Sequence, residues 1–529
     1  MKDIIQPADE TANEFCFLGE KSKIKKRILA IMSYTCVEGS LALSIEIASS
    51  LLPNHRADAF DPPEDSCTSV IDCFLRWLLD GFHKWDAIYF HFISMNGYLY
   101  ENTLVFFPLF PIVLRFVSDL LYAFVPLCSF WTHSILIGVF LCFLCNLLSA
   151  IQMYRLSKLV LMNNSLSLVS ALLFVINPAS VFFTTLYSEA LYSFLFLSAL
   201  IWIHERNYTA GCLILSMTVC CRSNGLVNCG FPCFFRFICF VKEVKSLYKK
   251  GRGGFLQHLC SPLPSITAAA FNFFLALSVM ILCVISPYLM YQCYAGFLYC
   301  YAFPKSSSFT FLLPRAPNSE LYKLADELGV LTPYSVNSSF HPDWCAGVPW
   351  SSYMLLQKRF WGVDTLAYYR WKQVPNFLLA LPVLFLVFKT VSLFGQKAAK
   401  TLFSFGIFED SIKQRLLLPY VYHALFLSAY GIVNVHIQVL TRMLFSSCPV
   451  LYWYCASVLL NEQDNLFGRP RLRKAKIKAN LMFHQPKNLF HLVNPLRYPP
   501  WSSQRMLLYY FYSYIAIGCI MHSNFLPWT

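Results

Sequence analysis

The sequence predicts an all-α polytopic membrane protein, and three observations support this prediction. Hydrophobic residues make up 57% of the 529 residues and charged residues only 13%, whereas soluble domains are about a quarter charged. The apolar runs are long and lack the two-residue alternation of membrane β-strands, so they indicate helices. The basic residues, which give a net charge of +14, concentrate in short blocks between these runs. This distribution is typical of cytosolic loops and argues against a nucleic-acid-binding surface.

The apolar runs predict about eleven transmembrane crossings within a single membrane-embedded domain, residues 1–529. The basic block Lys21–Arg27 precedes the first run, so the N-terminus is predicted to be cytosolic. The predicted crossings are Ile28–Leu52, Leu104–Pro126, Trp131–Tyr154, Leu166–Thr185, Leu186–Ile203, Ala210–Val241, Thr267–Tyr291, Pro375–Phe388, Leu416–Leu440, Met443–Leu460 and Met506–Met521.

Three long segments separate the runs. Residues 53–103 are predicted to form a large first luminal loop, and residues 296–372 a second luminal segment. Residues 461–504 carry a basic block and are predicted to be a cytosolic loop. Within the first loop, Ser69–Leu79 has apolar residues at helical spacing, which predicts a helix lying along the membrane surface.

Two kinds of residue give opposite indications for part of this topology. Three N-glycosylation acceptor patterns begin at Asn163, Asn207 and Asn337, and all three fall on the side predicted to be luminal. Arg155 and Lys158, however, lie on a turn predicted to be luminal, and basic residues favour the cytosolic side. The topology between Trp131 and Val241, the third to sixth predicted crossings, therefore stays open.

The cysteines do not indicate a metal site. There are 21 of them, and most lie inside apolar runs such as Leu141–Leu148, where thiols behave as small apolar groups. No His/Cys cluster with zinc spacing and no Asp-x-Asp motif is found in the sequence, so no metal or cofactor is predicted. Cys67, Cys73 and Cys345 lie outside the predicted crossings and are available for a disulfide in an oxidising compartment; the sequence does not decide which of them pair.

Several short motifs, in order along nearly the whole chain, resemble one family of enzymes. They are WDAIYF (85–90), GYLYE (97–101), FFPLFP (106–111), YSEAL (187–191), RSNGLV (222–227), QVPNFLLA (373–380), HIQVLTR (436–442) and NFLPWT (524–529). Together they resemble the mannosyltransferases that add the second mannose during assembly of the glycosylphosphatidylinositol (GPI) anchor.

The resemblance implies a fold, a reaction and a location. The fold is the multi-helix glycosyltransferase fold of the C type (GT-C), in the endoplasmic reticulum membrane with a luminal active site. The reaction transfers an α-1,6-linked mannose from dolichyl-phosphate mannose to the monomannosyl GPI precursor. Because the donor is β-linked and the product α-linked, inversion in a single step is expected, and one carboxylate base suffices for it.

The resemblance makes Asp86 the candidate base, since it occupies the aspartate motif of the first loop. Trp85, beside it, is expected either to stack on a sugar face or to anchor the loop at the membrane interface. Glu101 ends the GYLYE motif. It is expected to be a second catalytic acid, a positioning residue or the partner of a nearby base.

The candidate ligands of the donor phosphate are basic and polar residues of two other motifs. Arg442 is the best placed, with His436 and Gln438 beside it, because a guanidinium binds phosphate through two hydrogen bonds. The alternative is an arginine that only reaches for the membrane interface. Arg222 lies inside an apolar run, where a charge is a functional hypothesis by default, although the predicted topology puts it, like Glu189, away from the luminal face.

Two other functions fit the hydropathy. A polytopic lipid transporter or flippase has the same number of crossings, but such proteins are often built from repeated halves, and no internal repeat is seen here. A related mannosyltransferase with another acceptor is the second alternative, disfavoured by the HIQVLTR and C-terminal motifs. Predicted partners are the lipid-linked donor, the GPI-lipid acceptor and the membrane, with no nucleic acid; an accessory subunit stays open.

Overall fold

In a computed structural model, the described part of the chain is built from helices and the turns that join them. The structure describes residues 24–39, 59–250, 263–301, 313–335, 341–347, 351–408, 411–468 and 491–526, together with a few isolated positions. No β-strand occurs in these ranges. The prediction of an all-α protein is therefore confirmed for them.

The helices of the first half of the chain are α1 (24–39), α2 (Val70–Leu79), α3 (Asp86–Asn96), α4 (Leu109–Tyr122), α5 (Phe130–Leu161), α6 (Asn164–Val175), α7 (Val181–Thr184), α8 (Glu189–His204), α9 (Tyr208–Cys221) and α10 (Gly230–Lys250). Those of the second half are α11 (Leu263–Cys300), α12 (Ser319–Leu328), α13 (Ser352–Trp361), α14 (Val374–Phe403), α15 (Ile412–Asn434), α16 (Leu440–Ser447), α17 (Pro449–Leu459), α18 (Gln463–Phe467) and α19 (Ser503–Ser523).

Long apolar helices identify a multi-pass membrane protein. In the described ranges, 6 helical stretches are long and apolar enough to cross a membrane: α5, Ser223–Lys249, α11, α14, α15 and α19. Four shorter apolar helices, α6, α8, α9 and α17, pack among them. The polytopic helical class is confirmed, while the predicted number of about eleven crossings is not.

The run Leu104–Pro126 was predicted to be a crossing, and this prediction was wrong. Its first residues belong to a 3-10 helix, Glu101–Val105, and the rest is α4, which has 14 residues. A helix of this length is about 21 Å long, short of the hydrocarbon thickness of roughly 30 Å. It also carries an ion pair between Arg115 and Asp119 at 2.7 Å, with Asp119 half exposed.

The run Ala210–Val241 was predicted to be one crossing, and the structure divides it in two. Helix α9 ends at Cys221, and α10 begins at Gly230. The 3-10 helix Ser223–Cys229 joins them. A Cβ on Gly225 would lie 2.7 Å from the main chain of Thr218, so this turn can pass so close to α9 only with glycine. Together the two corrections reverse the predicted direction of the helices between them.

Polar contacts identify one end of the helical bundle, called here the basic end. Lys397 at the end of α14 forms an ion pair with Asp464 of α18 at 2.7 Å. Nearby, the Asn163 side chain donates a hydrogen bond to Glu462 at 2.9 Å. Asn163 thus lies beside the start of the segment 461–504, so the prediction that the two lie on opposite sides of the membrane was wrong.

The same reversal applies to neighbouring residues. Arg155 lies in the last turns of α5, close in sequence to Asn163, so this turn lies at the same end as the segment 461–504, as the basic residues Arg155 and Lys158 had indicated. Asn207 follows α8 and lies at the far end of that helix from Glu189. Asn337 lies outside the described residues, as does the basic block 469–478.

The other end of the bundle, called the site end, is covered by the first loop and the segment around α12 and α13. Phe60 of the loop stacks on Tyr89 of α3 with ring centroids 4.5 Å apart. The predicted helix within Ser69–Leu79 is confirmed as α2, with an ion pair between Asp72 and Arg76 at 3.7 Å, and its position along the membrane surface stays a prediction. These contacts make the loop a packed part of the protein.

One disulfide closes the second segment. Cys345 is bonded to Cys300, 45 positions earlier at the end of α11. Cys67 and Cys73 are free and exposed. The disulfide was expected between two of Cys67, Cys73 and Cys345, and this expectation was wrong. Cys300 was not considered, although it ends α11 and therefore lies beside the loop that holds Cys345.

Candidate active site

Asp86 and Arg442, the two residues singled out in different motifs, form an ion pair. Nη1 of Arg442 lies 2.8 Å from Oδ2 of Asp86, although the residues are 356 positions apart. Asp86 is the first residue of α3, and Arg442 lies in the first turn of α16. The side chain of Asp86 is 29% exposed and that of Arg442 15%, so the carboxylate is the more accessible partner.

Two further charged side chains extend this pair into the protein. Glu189 begins α8 and is fully buried, while Arg222 lies at the break between α9 and α10. Nη1 of Arg222 contacts Oε1 of Glu189, and Nε of Arg442 lies 3.7 Å from the same oxygen. Arg222, Glu189, Arg442 and Asp86 therefore form a row of alternating charge, called here the charged row.

The break after α9 explains how Arg222 reaches this position. Arg222 has extended backbone, and the turn that follows it is fixed by Asn224, whose side chain donates to the hydroxyl of Ser447 at 2.9 Å. Ser447 ends α16, the helix that carries Arg442. One hydrogen bond thus couples the segments that hold the two arginines. Arg222 lies with Asp86, which corrects the predicted topology that separated Arg222 and Glu189 from the first loop.

Aromatic side chains form the wall behind Arg442. Its guanidinium carbon lies 5.1 Å from the ring centre of Phe182 and 5.6 Å from that of Tyr187, within the range of cation–π attraction. The hydroxyl of Tyr187 accepts a hydrogen bond from the backbone N–H of Asp86 at 3.2 Å, and lies 3.4 Å from Nε2 of His522. Tyr187 therefore positions both members of the ion pair.

Trp85 has an unusual conformation. Its φ is 55° and its ψ −126°, a region where a side chain strains the backbone. The ring packs against Phe525 with centroids 5.7 Å apart. Among the described residues its indole N–H has no hydrogen-bond partner. Trp85 thus turns the chain sharply before Asp86, and its predicted contact with a sugar stays a prediction.

Glu101 has the contacts of a positioning residue. It is fully buried; the indole N–H of Trp344 donates to one carboxylate oxygen at 2.9 Å, and the N–H of Leu331 donates to the other at 3.3 Å. Arg359 of α13 lies 3.6 Å away. Burial raises the pKa of Glu101, against the opposing effects of Trp344 and Arg359. Glu101 joins the first loop to the second segment, and its catalytic role stays a prediction.

His436 and Gln438 support the turn that leads to Arg442. The ring of His436 stacks on Tyr368 with centroids 4.5 Å apart. The hydroxyl of Tyr368 donates to Oε1 of Gln438 at 3.0 Å and accepts from Asn376 at 2.7 Å. These contacts fix the junction between α15 and α16. A direct contact of either residue with a substrate stays a prediction.

The arrangement can move a proton and bind an anion. Asp86 offers a carboxylate to a hydroxyl group, and the guanidiniums offer paired donors to a phosphate. No group of three or more His, Cys, Asp or Glu side chains in the described ranges is placed to hold a metal ion. Glu189, Tyr187 and His522 were not predicted from the sequence to belong to this site; only the YSEAL motif pointed toward the first two.

Comparison with known proteins identifies related enzymes. A family model described as Mannosyltransferase (PIG-V) matches residues 28–529. The chain is 32% identical over 498 residues to GPI alpha-1,6-mannosyltransferase 2 of Rattus norvegicus, covering 90% of this chain and 94% of the relative. It is 29% identical over 506 residues to GPI mannosyltransferase 2 of Drosophila melanogaster, covering 91% and 95%.

A solved structure is also similar, at a lower level. It is the oligosaccharyltransferase of Archaeoglobus fulgidus, with 10% identity, a TM-score of 0.39, and coverage of 94% of this chain and 56% of that one. A similarity of this size supports no argument about the fold. The family match over nearly the whole length does decide the relationship: the chain belongs to the PIG-V family of mannosyltransferases.

Proposed function

We propose that this chain transfers an α-1,6-linked mannose, the second of the GPI anchor, from dolichyl-phosphate mannose to the monomannosyl GPI precursor. The relatives named GPI alpha-1,6-mannosyltransferase 2 support this assignment. The observation that carries the mechanism is the 2.8 Å pairing of Asp86 with Arg442. This pairing places the proposed base, Asp86, in contact with the proposed phosphate ligand, Arg442.

The reaction uses the two residues in different roles. Asp86 accepts the proton of the acceptor hydroxyl as the hydroxyl oxygen forms a bond to C1 of mannose. The bond from C1 to the phosphate oxygen breaks on the opposite face, and its electron pair leaves with dolichyl phosphate. Arg442 stabilises the charge that develops on this phosphate. The phosphate is already a good leaving group, so the step requires no general acid.

The exposure of the charged row fits this order of events. Asp86 is the most accessible of its members, and Glu189 is fully buried. Reactants therefore meet the row at Asp86 and Arg442. A base must be within hydrogen-bond reach of the proton it takes, and Asp86 satisfies this at the open end of the row.

The membrane arrangement follows the distribution of charge. Because basic residues favour the cytosolic side, the basic end with Lys397 and Lys413 faces the cytosol and the site end faces the lumen of the endoplasmic reticulum. The fold is then a GT-C-like bundle of about eleven crossings, with the N-terminus in the cytosol. The substrates are both lipid-linked and reach the site end from the membrane.

Rescue of a defined defect tests the function. The chain is expressed in cells that lack their second GPI mannosyltransferase, and GPI-anchored protein at the cell surface is measured together with the accumulated GPI lipids. Restored surface protein and loss of the monomannosyl intermediate are expected. A membrane-inserted chain that leaves the monomannosyl intermediate in place would refute the assignment, and an effect on a different intermediate would indicate a related acceptor.

A further inference from the structure

We propose that Arg442 exchanges partners during the reaction, from the carboxylate of Asp86 to the leaving phosphate, and that Glu189 is the positioning residue that holds Arg442 through this exchange. The ligand assigned to the exchanged state is the phosphate monoester of a long-chain isoprenoid alcohol. This inference rests on the proposed function and adds the order in which the charges of the row are used.

The guanidinium of Arg442 has two carboxylate partners, one accessible and one buried. Arg442 touches Asp86 through Nη1 at 2.8 Å and faces Glu189 through Nε at 3.7 Å. Asp86 is the accessible partner, whereas Glu189 is fully buried and also contacts Arg222. A reactant can therefore replace the contact with Asp86 but not the contact with Glu189.

The change in charge during the reaction favours the exchange. Before the reaction the row contains two arginines and two carboxylates, so its formal charges cancel. When Asp86 takes the hydroxyl proton, the row gains one positive charge and Arg442 loses its anionic partner. At the same moment the donor phosphate changes from a diester to a monoester and gains negative charge. The guanidinium of Arg442 thus becomes available to the phosphate only as the phosphate gains negative charge. Its interaction with the phosphate therefore stabilises the transition state and not the ground state.

Asparagine at position 86 imitates the protonated carboxyl group and should therefore reveal the exchanged state without catalysis. The purified Asp86→Asn variant is expected to bind dolichyl phosphate more tightly than the wild-type protein, by about tenfold or more, because a competing charge-assisted hydrogen bond is removed. Binding of uncharged dolichol should be the same in both proteins. Asp119→Asn is the matched control, since Asp119 pairs with Arg115 at 2.7 Å on α4.

The role of Glu189 is tested with its charge balanced. The double variant Glu189→Gln/Arg222→Gln removes one charge of each sign and avoids a lone buried charge. With Arg442 no longer held, kcat should fall about a hundredfold, while KM for the donor changes by less than about threefold. In this background Asp86→Asn should no longer tighten dolichyl phosphate binding. The single variant Glu189→Asp, which keeps the carboxylate, should have a higher kcat than the double variant.

The outcomes separate this inference from the proposed function. If Asp86→Asn binds dolichyl phosphate no more tightly than the wild type, or tightens dolichol equally, the partner exchange is refuted even where the wild type transfers mannose. If the double variant raises KM for the donor and leaves kcat unchanged, Glu189 is not the positioning residue. Absence of mannose transfer by the wild-type chain would instead refute the proposed function.

Discussion

Replacement of Asp86 by asparagine is the sharpest test of the mechanism. Asparagine keeps the size of the side chain and one oxygen that can accept a hydrogen bond from Arg442, now 2.8 Å away. It cannot accept the proton of the acceptor hydroxyl. The variant should therefore insert and bind the donor, while mannose transfer is nearly lost.

The expected loss of activation free energy in Asp86→Asn is larger than its expected loss of folding stability. General-base assistance contributes about a hundred- to ten-thousandfold in rate, or roughly 3 to 5 kcal/mol of activation free energy. The Asp86–Arg442 pair is partly exposed, so its loss should cost about 1 to 3 kcal/mol of stability, between the values of surface and buried pairs. Rates compared at equal amounts of folded protein thus report the chemical step.

The assay is transfer of labelled mannose from dolichyl-phosphate mannose to the monomannosyl GPI intermediate in microsomes. Asp119→Asn should retain normal turnover, and Asp86→Glu should be intermediate, because an extra methylene displaces the carboxylate by about an ångström. Turnover of Asp86→Asn above about a tenth of the wild-type value would exclude Asp86 as the general base. A larger loss with Glu101→Gln would assign the base to Glu101.

Three other predictions concern the surroundings of the site. Arg442→Lys keeps the charge but loses the planar fork that faces two carboxylates, so kcat at saturating donor should fall about tenfold; Arg442→Ala should lose more and exposed Arg370→Gln nothing, and an unchanged kcat in both Arg442 variants would leave this arginine a purely structural role. Glu101→Gln concerns stability. Because burial raises the pKa of Glu101 above its usual 4.5, the unfolding free energy of the wild type should decrease as pH rises from 4.5 through the raised pKa. In thermal unfolding measured in detergent, the variant should show a smaller decrease, and a pH profile equal to that of the wild type would contradict this prediction. The Cys300–Cys345 disulfide closes a loop of 45 residues and should stabilise the fold by about 4 kcal/mol, so replacing both residues by serine should lower the unfolding temperature; recovery of Cys345 as a free thiol in non-reducing peptide mapping of the wild type would refute the pairing.

Which side chains carry charge at the site could be predicted from the sequence, and how they meet could not. Asp86, Arg222 and Arg442 attract notice because a charge in or beside an apolar run is costly. Their contacts depend on helices far apart in the chain, and a single sequence contains no signal for such pairs. Glu189 was seen as an intramembrane charge, but its partners appear only once α8, α9 and α16 are packed.

The wrong crossings have a common physical reason. Hydropathy measures how apolar a segment is, and a segment buried inside protein is as apolar as one that faces lipid. Leu104–Pro126 and Ala210–Val241 were both interpreted as single spans for this reason. The features that break them were present in the sequence: Pro108 before α4, and Gly225 three residues after Arg222.

The separation of 356 positions between Asp86 and Arg442 has a consequence for biosynthesis. A nascent chain inserted as far as α15 contains Asp86, Glu189 and Arg222 in the membrane, but the central guanidinium of the row has not yet been inserted. Contacts of such long range form late, because their loops must close first. The unfinished protein therefore lacks the complete charged row, and its buried glutamate has only one of its two cations. Completion of the site and neutralisation of the net charge of the row are reached in the same assembly step.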